Sequence, residues 1–95
     1  MLINKTLVAV SDQVSADLQG ESVILNLKTG RYYGLDPVGA RVWELLQKPI
    51  TFQHLKGTLL DEFEVDEHTC EQDLLELLQQ LVDVELVEVV DAPGD

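Results

Sequence analysis

The spacing of apolar and polar positions changes period along this chain and divides it into strands followed by helices. Leu7–Val10 is an apolar, β-branched run that reads as a short first strand, and the alternation in Val14–Leu18 (VSADL) extends or bends it. Gln19-Gly20 turns the chain into Ser22–Leu27, the strongest strand pattern present. Lys28-Thr29-Gly30 then closes a hairpin onto Arg31–Leu35, Gly30 supplying the positive φ that such turns need. Few strands remain to cover this hairpin. One of its edges is therefore expected to stay open, and an open edge is a template for an added peptide strand.

From Asp36 the apolar spacing becomes helical. Asp36 is placed to cap a first helix, and Pro37 sits at the first helical position, where its missing N–H costs nothing. Val38, Val42, Leu45 and Leu46 form the apolar stripe of this helix with Trp43 beside it, while Gly39 and Ala40 are small enough for a strand to approach. It runs to about Gln47 and Pro49 ends it. Thr51 caps a second helix carrying Leu55, Leu59, Leu60 and Phe63, which stops near Glu64. Asp66 caps the third and longest, with Glu67 and Glu71 toward its positive end.

At about 100° per residue, Cys70, Leu74, Leu77, Leu78 and Leu81 make one stripe of the third helix. Leu75 and Val82 fall on a flank adjoining Leu78, with Glu71 on the same side. This second strip either packs on the sheet or on Leu86–Val90, itself a final strand or an extended tail, or else forms the wall of a groove. Asp91–Asp95 (DAPGD) is expected to fray. The chain reads as one domain over residues 1–95, without internal repeats.

Charge sharpens the picture. The net charge is −12, and every Lys and Arg lies at or before Lys56. Such a surface repels phosphate backbones and suits a basic or neutral peptide, although a high acidic charge also serves solubility alone. No apolar run reaches the roughly 18 residues that span a bilayer, the first ten residues lack a signal-peptide pattern, and Cys70 stands alone, so a reducing cytoplasm is the expected location.

Catalytic constellations are absent from the sequence. His54 and His68 lie on different helices without a metal-ligand spacing, and the glycines form neither GxGxxG nor a phosphate loop. Asp61-Glu62 and Asp66-Glu67 read as helix ends and caps rather than catalytic carboxylates. The expectation is a non-enzyme without metal or cofactor.

The order of strand, hairpin and three helices, with the wording TGRYYGLDPVGARVWELL, resembles the PqqD-like leader-peptide recognition elements that serve the biosynthesis of ribosomally made, modified peptides. The resemblance covers roughly Val8–Val90 and rests mainly on the Thr-Gly turn, the aromatic strand ending in Leu35, and the Gly39-Ala40 helix carrying Trp43-Glu44-Leu45-Leu46. Family members often have Gly late in the last helix before a Leu; Glu85 stands there in this chain, so a different helix exit is expected.

The resemblance implies an α+β fold, a winged helix-turn-helix with a three-stranded antiparallel sheet and three helices. It also implies the recognition half of a split lasso-peptide maturation system, working beside a separate leader peptidase or other modifying enzyme. The leader would add to the edge strand and touch the third helix. The peptide-binding residues expected are Arg31, Tyr32, Tyr33, Gly34 and Leu35 through backbone groups, with Leu75, Leu78, Val82 and one tyrosine forming a pocket and Glu71 meeting a basic leader residue. Which tyrosine faces the pocket stays open, because a one-residue shift of register exchanges the faces. Tyr33→Pro is expected to weaken binding by deleting a strand N–H. The alternatives are a peptide chaperone accessory to a radical modifying enzyme, an adaptor that binds only the enzyme, and a winged-helix nucleic-acid binder. The last would have to insert a helix bearing Glu67, Glu71, Asp73 and Glu76 into a groove lined by phosphates.

Overall fold

The computed structural model describes residues 2–18 and 21–90. The expected turn at Gln19-Gly20 and the expected fraying of Asp91–Asp95 lie outside the described residues. In chain order a 3-10 turn (Leu2–Asn4) leads to β1 (Thr6–Ala9), β2 (Gln13–Leu18), β3 (Glu21–Asn26), β4 (Tyr32–Leu35) and α1 (Pro37–Leu45). Then follow β5 (Ile50–Thr51), α2 (Phe52–Glu62), α3 (Glu67–Asp83) and β6 (Val87–Val90).

The fold is α+β, with three helices and two antiparallel sheets of three strands each among the described residues. One sheet is the meander β2-β3-β4, which contains the expected hairpin; the other has the order β5-β1-β6. β2 is not an extension of β1. Val10 N–H is drawn to the Leu86 carbonyl at 3.0 Å and Gln13 N–H to the Ser11 carbonyl at 3.0 Å, which bends the chain out of one sheet and into the other. The run after α3 is a strand rather than a tail, since β6 pairs with all four residues of β1, from Thr6↔Val90 to Ala9↔Val87. β5 has only two residues, Leu7↔Ile50 and Thr6↔Thr51, too few to leave a period in the sequence.

Both sheets and all three helices share one core. Leu7, Ile24, Val42, Leu46, Phe52, Leu55, Leu78, Leu81 and Leu86 are fully buried. Each large side chain among them contributes roughly 1.5–3 kcal/mol by leaving water. The three helix starts read from sequence are built as expected: Asp36 accepts from Gly39 N–H, Thr51 from His54 N–H and Asp66 from Thr69 N–H. Gly39 permits the close seating of α1 on β4, since a Cβ there would lie 3.1 Å from the Leu35 side chain.

Two basic residues, Lys56 and Arg41, tie the helices through ion pairs. Lys56 donates to Glu67 at 2.9 Å and to Glu71 at 2.8 Å, joining α2 to α3, and Arg41 donates to both carboxylate oxygens of Glu62 at 2.8 Å, joining α1 to α2. The exit from α3 follows the Schellman pattern: Leu86 N–H bonds to the Leu81 carbonyl at 2.9 Å and Glu85 N–H to the Val82 carbonyl at 3.0 Å. Glu85 holds the left-handed position at φ 62°, a conformation that glycine adopts at least cost. The expected change of exit is thus a change of residue within a glycine-type turn.

Candidate peptide-docking site

The side chain of Asn26 makes most of the side-chain hydrogen bonds that hold the hairpin turn. Asn26, 2% exposed, accepts from Lys28 N–H at 2.8 Å and Thr29 N–H at 3.1 Å through its amide oxygen, and donates through Nδ2 to the Glu85 carbonyl at 2.6 Å. Gly30, at φ 76°, completes the turn by donating to the Asn26 carbonyl. The turn is therefore locked on itself and pinned to the exit of α3.

Register then follows. Ser22↔Leu35, Val23↔Gly34, Ile24↔Tyr33 and Leu25↔Tyr32 are the facing pairs of β3 and β4. Asn26 N–H donates to the Arg31 carbonyl at 2.8 Å, so this pair is of the hydrogen-bonded type. Antiparallel ladders alternate, which makes Ile24↔Tyr33 and Ser22↔Leu35 hydrogen-bonded pairs as well. The backbone groups of Arg31, Tyr33 and Leu35 thus turn inward to β3, while the N–H and C=O of Tyr32 and Gly34 point away from it. β4 is an edge strand of its sheet among the described residues, so these four groups are presented outward.

The two tyrosines are now distinguished. Tyr33 faces Ile24, which is fully buried, and its hydroxyl donates to the amide oxygen of Gln80 on α3. Tyr32 pairs with Leu25 on the opposite face and is 73% exposed.

Helix α3 borders β4 with the flank that carries Gln80 and Leu77. Beyond Leu35, Leu77 and Val38 line an apolar cavity of about 270 Å³ together with Phe63 and Val65. Cys70 lies in its wall, with burial pushing the thiol pKa up, and Asp73 and Glu76 lie at its margin. Among the described residues no group of three or more His, Cys, Asp or Glu side chains is arranged to hold a metal ion.

The helix residues expected from sequence lie elsewhere. Leu78 is fully buried in the core. Glu71 is engaged by Lys56 on the α2 side of α3. Leu75 lines a hollow with Leu2, Gln72 and Gln79, and Val82 lines another with Val10, Asn26 and Val87. The hollows lined by Leu75 and Val82 include no residue of β4, whereas Gln80 reaches Tyr33 and, on the same flank of α3, Leu77 lines the cavity beside Asp36 and Val38. Leu77 stood in the apolar stripe read from sequence, but a helical wheel cannot say which flank of a stripe meets a sheet.

An edge strand with outward backbone groups, bordered by a helix and an apolar cavity, has the geometry to which a peptide can add as a further strand. The chain belongs to the family of coenzyme PQQ synthesis protein D (PqqD), whose model matches residues 21–87. It is 38% identical to the protein of a structure described as TbiB1 in complex with the TbiA(beta) leader peptide, with a TM-score of 0.76 over 85% of this chain and 94% of that one. A second structure, lasso peptide synthetase B1 complexed with the leader peptide, shares the fold at 20% identity, with a TM-score of 0.73 over 86% of this chain and 96% of that one. No curated protein matches the chain.

Proposed function

We propose that this chain binds the leader segment of a ribosomally made precursor peptide in lasso-peptide biosynthesis and presents it to a separate leader peptidase or other maturation enzyme. The observation that carries this reading is the outer edge of β4, unpaired among the described residues, with the N–H and C=O of Tyr32 and Gly34 turned outward. Each rung that a guest strand completes there contributes about 0.5–1.5 kcal/mol per hydrogen bond, and the side chains that reach the groove set specificity. The chain acts by binding and positioning alone, in the cytoplasm, where a lone reduced Cys70 is at home. Both similar structures are complexes with a leader peptide, one of them that of a lasso peptide synthetase B1, which supports leader binding as the role of this chain.

Titration of the 15N-labelled chain with the TbiA(beta) leader peptide tests the proposal. The amides of Tyr32 and Gly34 are expected to shift downfield and to become protected from exchange. Saturable binding that leaves both amides unmoved would overturn it.

A further inference from the structure

The outer face of the β2-β3-β4 sheet breaks the usual rule for a half-solvated sheet. Register aligns Val14, Leu25 and Tyr32 in one row across the three strands, and Ala16, Val23 and Gly34 in the next. All six are apolar or glycine and none is buried; Val14 is 51% and Tyr32 73% exposed. The other face of the same β2 carries Gln13, Ser15 and Asp17. An antiparallel sheet with one solvated face ordinarily alternates apolar inward and polar outward, and β2 reverses that pattern. A contiguous apolar face of this kind marks an interaction surface.

We propose that this outer face docks the maturation enzyme that acts on the bound leader, an inference that rests on the reading of β4 as the leader-binding edge. Two observations select the occupant. First, the face is continuous with that edge. Tyr32 and Gly34 offer their backbone to the guest strand, whereas the side chain of Tyr32 and the open side of Gly34, where a Cβ would meet nothing within 4 Å, belong to the outer face. A protein seated here lies directly against the peptide held on β4. Second, the net charge of −12 opposes a second copy of the chain, since self-association would bring two strongly acidic surfaces together. Asp12 and Glu21 are exposed at the two ends of the face, so the partner surface is apolar at its centre with basic groups at its rim.

Val14 is the residue for the test, because β2 is the far edge of the sheet and makes no part of the leader site. A leader peptidase of the split maturation system proposed above is titrated against the wild type, Val14→Asp and Ala16→Asp, and the labelled TbiA(beta) leader is titrated in parallel. Circular dichroism reports folding, and Ala16, already exposed, supplies the variant if Val14→Asp unfolds. Peptidase affinity is expected to fall about tenfold or more, as it does when a charge is set into an apolar contact, while leader affinity stays within twofold. Peptidase affinity unchanged in a folded variant would overturn the proposal. So would a wild-type homodimer, seen by sedimentation, that Val14→Asp dissociates. Failure of the wild type to bind any leader would sink the reading of β4 instead, and the peptidase titration would still judge the outer face.

Discussion

Tyr32 and Tyr33 adjoin in sequence and serve different purposes because a strand sends successive residues to opposite faces and opposite edges. The Tyr33 N–H is committed to β3, so Tyr33→Pro removes a rung of the hairpin itself and is expected to destabilise the fold, which corrects its use as a probe of binding. Tyr32→Pro deletes an outward N–H instead. It should leave the circular dichroism spectrum intact and weaken leader binding about fivefold, the worth of one net hydrogen bond of roughly 1 kcal/mol, as measured by fluorescence anisotropy. Glu85 offers a separate test. Held at φ 62° in a turn that it joins through its backbone N–H and C=O, groups that glycine also carries, it is expected to gain stability on replacement by glycine. Glu85→Gly should add up to about 1 kcal/mol, seen as a rise of several degrees in Tm.

At the scale of elements, the question is which flank of α3 meets the guest. The helix is amphipathic with a wide apolar arc, so its sequence offers two flanks of similar character. Tertiary contacts separate them. The Glu71 flank is spent on Lys56 and on the packing of Leu75 beside Leu2, whereas the Leu77 flank borders Tyr33 and the cavity beyond β4. Leu77→Gln is expected to weaken leader binding about tenfold and Leu75→Gln to leave it within twofold, each a matter of which partly buried side chain the guest covers. Isothermal titration on the two variants, after a check of folding, decides between the flanks. The helices themselves were legible because Asp36, Thr51 and Asp66 are cap residues whose effect is local, and each cap bond is formed. β5 and the pairing of β6 with β1 were not legible, since a two-residue strand has no period and its partners lie more than forty residues away.

For the whole molecule, charge sets the response to pH. Hydrogen bonds from Arg41 hold the Glu62 carboxyl below its ordinary value of 4.5, and the bonds that Asp66 accepts from Thr69 hold it below 3.8. A depressed carboxyl pKa contributes stability that is complete above the ordinary value and lost as pH falls through the lowered one. On the alkaline side, burial raises Cys70 above its ordinary 9.0, so folding resists ionisation of the thiol and loses stability as pH climbs past that value. Lys56, raised chiefly by its hydrogen bond to Glu71, keeps its contribution until the pH passes above its ordinary 10.5. Urea midpoints should therefore be level between about pH 5 and 8.5 and fall on either side, the acid limb steepened by repulsion within a chain that turns from acidic to cationic as its carboxylates protonate.

Sequence alone determined what depends on near neighbours: the helix caps, the hairpin turn at Gly30, the acidic field, and the apolar stripe that each helix must bury. Its resemblance to a known family added the topology and the expected use of the open edge. Only the tertiary structure decided what depends on residues far apart in the chain. It set the phase of the β3–β4 ladder, which turns Tyr32 and Gly34 outward, and the seating of α3, which brings Gln80 to Tyr33 and engages Glu71 with Lys56. The physical reason is that caps and turns are satisfied within a few bonds of backbone, whereas the choice of face and flank is made by packing, where every element competes for the same core.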